Sequence, residues 1–150
     1  MLKKILSTQN QITPVLLRLA LGLVIFPHGA QKLLGWFGGA GPTATLDFLS
    51  GSLGIPPFLG ALVIVTEFFG SLALILGAFS RLAALGIGTI LVTAAAMAHA
   101  PNGFFMNWYG NQAGEGFEYH ILGAALAFAL VIMGSGTLSV DRLLVRRRAQ

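Results

Sequence analysis

Four long apolar runs, separated by shorter polar or glycine-rich connections, constrain the fold of this 150-residue chain more than any other feature. About 20 helical residues, each rising 1.5 Å, are needed to cross a hydrocarbon core of about 30 Å. Only 9% of the residues are charged, against about 25% in soluble domains. The sequence therefore predicts an all-α integral membrane protein, a four-helix bundle in one domain spanning residues 1–150. Its helices are predicted at about residues 13–34, 57–79, 82–100 and 117–137.

The basic residues predict how the bundle is oriented. Most of them flank helix ends that would share one membrane face: Lys3, Lys4, Arg81, Arg142, Arg146, Arg147 and Arg148. Because basic residues concentrate in cytoplasmic segments, both termini are predicted to be cytoplasmic, with two longer outer loops near residues 35–56 and 101–116. A short helix is predicted within the first of these loops, at about Thr43–Leu49. The pattern of basic residues accounts for the net charge of +4 without a nucleic-acid partner. It predicts a multi-pass membrane protein, with the lipid bilayer as its main partner.

A group of polar residues ends the first apolar run, just after Pro27. His28, Gln31 and Lys32 share one helix face, since residues three and four apart are neighbours there. Ionisable groups inside a membrane are costly and often functional, so this face is predicted to bind a ligand near the outer leaflet. The predicted ligand-binding set also includes residues that antiparallel packing or the outer loops would bring to the same depth: Trp36, His99, Trp108, Glu118 and His120.

Plainer interpretations of these residues stay open. Tryptophans on the outer side are also typical of an interfacial aromatic belt. Lys32 is equally consistent with a side chain that extends to the outer headgroups.

Two further charges, Arg18 and Glu67, lie within the first and second runs. Their predicted depths differ by about five residues, or about 7 Å, which a long arginine side chain can span. A structural ion pair between Arg18 and Glu67 is predicted, because isolated charges in a membrane seek partners. The alternative makes Glu67 a proton carrier. If the chain takes part in a reaction, Glu67, His28 and His120 are the predicted catalytic residues.

The residue types limit the chemistry. The chain has no cysteine, so it cannot carry out dithiol–disulfide exchange by itself. Histidines can bind metals, but no two of them stand at ligand spacing such as i and i+4, and no metal site is predicted. Histidine, glutamine and lysine suit the carbonyl oxygens of a quinone headgroup, and histidine can shuttle protons near its ordinary pKa of about 6.5. A quinone is therefore the cofactor considered, with its identity left open.

Several stretches also resemble the DoxX family of small four-helix bacterial membrane proteins. The segment RLALGLVIFPHGAQKLLGWFGG (residues 18–39) is similar to the family's signature, and TEFFGSLALILG and FEYHILGAALAFALVIMG resemble its second and fourth helices. The resemblance implies a quinone-linked redox subunit or an oxidative-stress accessory protein, as in relatives associated with thiosulfate:quinone oxidoreductase or with superoxide dismutase and a sulfurtransferase. It implies no secure catalytic assignment. The positions that match are Arg18, His28, Gln31, Lys32, Glu67, Glu118 and His120.

Two other classes of function remain alternatives. One is a subunit of a proton-coupled small-molecule transporter or exporter, with Glu67 and the histidines as the proton relay. The other is a non-catalytic membrane scaffold whose polar groups only fix helix packing. Redox partner proteins in or on the membrane, and a homo-oligomer, are compatible with all three classes.

Overall fold

The secondary structure of the computed structural model is helical, with no strand in the part of the chain that it describes. The structure describes residue 6, residue 8 and residues 10–147, without the side chains of residues 146 and 147. Six α-helices follow one another there: α1 (Thr13–Leu34), α2 (Gly41–Gly51), α3 (Pro57–Leu76), α4 (Ser80–Ala94), α5 (Glu118–Met133) and α6 (Val140–Arg147). A π-helical turn (Ala95–His99) and a 3-10 turn (Ala100–Asn102) prolong α4.

Three helical stretches of the described residues are long and apolar enough to cross a membrane: α1, α3 and the continuous stretch Ser80–Asn102. The fourth apolar helix, α5, has 16 residues. The prediction of an all-helical membrane bundle is therefore confirmed for three long apolar helices. Two further helices lie among the described residues: α2, which contains the short helix predicted in the first outer loop, and α6, which follows the fourth run and was not predicted.

Glycines end two helices earlier than the apolar runs suggested. Gly77 adopts a left-handed conformation with φ 69° and ends α3 at Leu76 rather than at residue 79. Its backbone N–H donates to carbonyls of the last turn, a common way to close a helix. Gly134 and Gly136, both with φ 80°, turn the chain away after α5, which therefore ends before residue 137. Glycine adopts this conformation without the steric cost that other residues bear.

Most of the basic residues that predict the orientation lie outside the part of the chain that the structure describes. Lys3, Lys4 and Arg148 are outside the described residues, and the side chains of Arg146 and Arg147 are not described. Cytoplasmic termini therefore stay a prediction.

The helices meet through small residues. Antiparallel α1 and α3 approach so closely at Gly29 that a Cβ there would lie 2.6 Å from the Phe68 Cα. Where α4 meets α5, a Cβ at Gly88 would lie 3.0 Å from the Ala127 Cβ. Small residues let helices approach where lipid offers no hydrophobic drive to associate. Since α5 packs against both α4 and α1, the four helices α1, α3, α4 and α5 form a closed bundle.

The bundle is apolar inside and outside. Its core is built from aliphatic side chains: Leu21, Ile25, Leu74, Ala84, Ile87, Leu91, Ala127 and Leu130. Its outer surface also exposes large apolar side chains from every one of the four helices, including Leu23, Phe69, Leu85 and Phe128. An apolar surface this extensive is rare in soluble monomers and is typical of helices that face lipid.

The bundle has two chemically different ends. At the histidine end, where α1 and the α4 extension finish and α5 begins, lie His28, His99 and His120. At the arginine end, where α3 and α5 finish and α4 begins, lie the buried side chains of Arg18 and Asp141.

Candidate functional site

Two histidines meet at the histidine end. The rings of His99 and His120 have their centroids 4.1 Å apart, with 42° between their planes. His120 lies in the first turn of α5 and is buried, whereas His99 ends the π-helical turn. Such turns are rare and are frequent at functional sites. The His99 Nδ1 lies 2.9 Å from the Glu115 carbonyl oxygen. Because a carbonyl only accepts, this nitrogen carries the proton and donates it.

An apolar groove of about 410 Å³ adjoins the pair, between the end of α4 and the start of α5. Val92 and Ile121 are exposed at its rim, so the groove opens on the outer surface of the bundle, where lipid would lie. His120 is the one ionisable residue among those that line it: Val92, Ala95, Ala96, Ala100, Phe117, His120, Ile121 and Ala124. We call this the histidine groove.

Two buried polar atoms in the first turn of α5 are unsatisfied within the described residues. The His120 Nδ1 and the Tyr119 hydroxyl have no hydrogen-bond partner there. Leaving a buried polar atom unpaired costs about 1–3 kcal/mol. Atoms that bear this cost are candidates for contacts with a ligand or a buried water.

A second polar pair lies between α1 and α3. The Lys32 ammonium is 2.5 Å from a carboxylate oxygen of Glu67, whose side chain is 10% exposed against 28% for Lys32. His28 is exposed at the bundle surface and lies within electrostatic range of both residues. His120 is in turn within electrostatic range of His28 and His99. The polar side chains of α1, α3, α5 and the π-helical turn are thus linked in one electrostatic cluster.

The predicted ion pair between Arg18 and Glu67 is wrong. Glu67 pairs with Lys32, and the reason is the register of α1 against α3. A Cβ at Gly29 would lie 2.7 Å from the Glu67 carbonyl carbon, so Glu67 is level with Gly29. Arg18 is eleven residues before Gly29, or about 16 Å along the helix. Lys32 is less than one turn away.

Arg18 instead binds backbone carbonyls at the arginine end. Its Nε donates to the Ser135 oxygen at 3.0 Å, and its Nη1 donates to the Leu74 and Ile75 oxygens at 2.9 and 2.5 Å. Its Nη2 donates to the Leu138 oxygen. The last carbonyls of a helix lack hydrogen-bond donors inside the helix, and the Arg18 guanidinium supplies such donors to the last turn of α3. This arginine therefore joins α1, α3 and the segment after α5.

The buried Asp141 serves the neighbouring helix and was missed by sequence reasoning. Its carboxylate accepts from the backbone N–H of Phe79 at 2.6 Å and of Ser80 at 3.1 Å, which begin α4. A cap supplied from about 60 residues further along the chain leaves no local sequence signal.

Of the eight residues predicted to bind a ligand, only His120 lines the histidine groove. His99 contacts His120, Lys32 pairs with Glu67, and His28 lies within electrostatic range of that pair. The other four lie in or beside the outer loops. Glu118 holds the outer loop, because its carboxylate accepts from the Met106 N–H at 2.9 Å and from the Trp108 indole at 3.2 Å. Gln31 donates to the Phe37 carbonyl at 3.2 Å and secures the turn after α1. Trp36 is 55% exposed and Trp108 is 78% exposed. We therefore assign these four residues to the loops around the site.

No metal-binding group was found among the described side chains: three or more histidines, cysteines or carboxylates do not converge at any point there. On α3, the carboxylate of Glu67 is already paired with the Lys32 ammonium.

The fold and the buried ionisable groups define an integral membrane protein built from apolar helices. The family model for DoxX matches residues 13–100, more than half of the chain, and the chain belongs to the DoxX family. This match covers His28, Lys32, Glu67 and His99 and stops before α5, which carries His120. No curated protein matches the chain, and no solved structure matches it.

The Lys32–Glu67 pair can be tested with a double-mutant cycle. We expect Glu67→Gln to lower the free energy of unfolding by about 1–2 kcal/mol, less than the 3–5 kcal/mol of a fully buried pair, because Lys32 remains partly exposed. Lys32→Met should cost more, since it leaves the more buried carboxylate without a partner. The double variant should recover most of either loss. Denaturant titration in detergent, followed by circular dichroism, measures all four proteins.

The exposed acid Asp47 on α2 provides the control for this cycle. Asp47→Asn should change stability by less than about 0.5 kcal/mol. Strictly additive losses in the Lys32 and Glu67 variants would show that the two side chains are not coupled.

Proposed function

We propose that the protein binds a small amphipathic molecule of the quinone class in the histidine groove. In this proposal it serves membrane redox chemistry as a subunit or accessory protein, near the outer leaflet of a bacterial inner membrane. The observation that carries the proposal is the stacked His99–His120 pair beside an apolar groove that opens toward lipid. A volume of about 410 Å³ is within the range of small-molecule sites, about 300–1,000 Å³.

The groove suits a ligand with one polar end and an apolar body. Alanines and aliphatic side chains contact the body, and His120 offers a ring nitrogen to the polar end. A lipid-facing opening lets an apolar molecule enter without crossing water. A bound quinone would supply chemistry in which two electrons and two protons are taken up or released.

The chain's own residues would move the protons. His120 is the catalytic residue nearest the groove, and His99 is oriented by its bond to the Glu115 carbonyl. Neutral His99 then has an accepting Nε2, which can receive a hydroxyl proton. His28 and Glu67 extend the cluster toward α3 as further proton carriers, with Lys32 paired to Glu67. The electrons would come from a redox partner protein in the membrane or at its surface.

Equilibrium dialysis of a short-chain ubiquinone against the purified protein in lipid nanodiscs tests the proposal. We expect saturable binding that His120→Ala weakens at least tenfold, the size of one lost hydrogen bond to a buried group. The unfolding midpoint should move little, because the Nδ1 of this imidazole has no partner in the described structure.

Leu122→Ala is the matched control for this measurement. Leu122 is two residues from His120 on α5, 68% exposed and not part of the groove. Its truncation should leave quinone binding unchanged. Equal weakening by both substitutions, or no saturable binding by the unaltered protein, would contradict the proposal.

A second candidate function is a proton-coupled transporter subunit. The observation in its favour is the Lys32–Glu67 pair, a carboxylate held between two helices with His28 within electrostatic range. Substrate-dependent proton flux in proteoliposomes that Glu67→Gln abolishes would favour this function. If the unaltered protein neither binds quinone nor moves protons, and the polar substitutions change only its stability, the scaffold interpretation is the one that fits.

A further inference from the structure

A second groove lies at the arginine end and has no part in the proposed function. Its volume is about 690 Å³, and it lies between the last residue of α3, the segment after α5 and the first turns of α6. Polar and apolar side chains share its lining: Asn10, Leu76, Thr137, Leu138, Ser139, Val140, Arg142 and Leu143. We call it the arginine-end groove.

Arg142 gives this groove a positive charge. Its guanidinium is half-buried and donates from Nη1 to the Asn10 side-chain oxygen. A guanidinium has five N–H donors and stays charged, so donors remain for a second acceptor. The adjacent Asp141 does not occupy them, because its carboxylate is buried and accepts from the Phe79 and Ser80 N–H groups. Among the described side chains, Arg142 forms no salt bridge.

The apolar part of the groove faces outward. Leu76, Leu138 and Leu143 are each exposed over 60% or more of their surface. Leu76 ends the membrane-length helix α3, so these leucines and Arg142 lie where the hydrocarbon core would meet the headgroups. The adjoining helix α6 has the sequence VDRLLVRR, in which apolar and basic residues are mixed. A short basic amphipathic helix of this kind is typical of a membrane surface.

We propose that the arginine-end groove binds the phosphate of an anionic phospholipid. The Arg142 guanidinium donates to the phosphate oxygens, a geometry that arginine favours through paired N–H groups. Leu76, Leu138 and Leu143 contact the glycerol backbone and the first acyl carbons. These leucines favour a lipid over a free phosphate ion, because inorganic phosphate would leave them in water.

Native mass spectrometry of the full chain tests this site. The purified protein in mild detergent is mixed with equal amounts of phosphatidylglycerol and phosphatidylcholine, and the retained lipids are counted. We expect preferential retention of phosphatidylglycerol, with an affinity that Arg142→Gln weakens about fivefold, the effect of one cation near an anionic headgroup. Arg81→Gln removes the same charge at the same end of the bundle, from a residue that does not line the groove, and should have a much smaller effect.

Two further arms keep the test decisive. Leu138→Asp places a negative charge on a 69% exposed side chain of the groove, where it should abolish the lipid preference without unfolding the protein. Excess inorganic phosphate should not displace the bound lipid. Equal losses for Arg142→Gln and Arg81→Gln would show nonspecific charge attraction. Displacement by phosphate, or no preference between the two lipids, would also overturn the proposal.

Discussion

Replacing Arg18 with glutamine is expected to lower the free energy of unfolding by about 3 kcal/mol or more. Arg18 is 3% exposed, and its guanidinium donates to four backbone carbonyls in two separate segments, 74–75 and 135–138. Each buried carbonyl that loses its partner costs about 1–3 kcal/mol, and a glutamine amide can satisfy at most two of them. Arg18→Lys should recover less than half of the loss, because an ammonium lacks the planar fork of donors.

Denaturant titration in detergent with circular dichroism measures the effect, with Arg142→Gln as the matched control. Arg142 is a half-buried arginine at the same end of the bundle, and its guanidinium has one bond within the described chain. The Arg142→Gln substitution should lower the free energy of unfolding by less than about 1 kcal/mol. Comparable losses for the two variants would mean that the carbonyl bonds of Arg18 contribute little to stability.

Gly29→Ala is expected to lower the free energy of unfolding by about 3 kcal/mol, the upper end of what overpacking costs. A Cβ at this position would lie 2.6 Å from both the Cα and the backbone nitrogen of Phe68. Backbone atoms cannot yield as a flexible side chain does, so α1 and α3 must separate. The separation should also lengthen the Lys32–Glu67 contact and disturb the polar cluster.

Gly51→Ala is the control for this substitution, measured by the same unfolding titration. Gly51 is also helical, but no atom lies within 4 Å of the place where its Cβ would be. Alanine there should be neutral or stabilise α2 by up to about 1 kcal/mol, because it is the better helix former. If Gly29→Ala proves as stable as Gly51→Ala, the close approach of α1 and α3 does not constrain the bundle.

The helices could be predicted because the apolar runs are long and nearly free of charge. The apolar runs do not show where a helix ends, because packing and backbone geometry determine its last residue. Gly77 and Gly134 turn the chain with positive φ while apolar residues continue nearby. The short helix predicted at about Thr43–Leu49 is present as α2 (Gly41–Gly51), which packs against both α1 and α3.

Ion pairs depend on register, which local sequence does not specify. Shifting α3 along α1 by a few residues changes the partner of Glu67 from Arg18 to Lys32. The glycines that allow the close approach set this register, and their contacts are visible only in three dimensions.

The meeting of His99 and His120 was partly accessible from the sequence. Antiparallel order places the end of the third helix beside the start of the fourth, which is where the two rings stack. The π-helical turn that carries His99 was not accessible, because AAMAH contains neither a proline nor a glycine to suggest it. Such a turn is a product of tertiary packing. The groove beside it follows from the same packing.

The shortness of α5 has a consequence for the surrounding bilayer. Its 16 residues extend about 24 Å, about 6 Å less than a typical hydrocarbon core, whereas the 22 residues of α1 extend about 33 Å. Hydrophobic mismatch of this kind thins the adjacent lipid or tilts the longer helices, at fractions of a kcal/mol per Å. The bundle is therefore asymmetric around its circumference, with one flank matched to a thinner membrane. Lipids beside that flank are expected to be compressed, and the protein should partition toward thinner regions of the membrane.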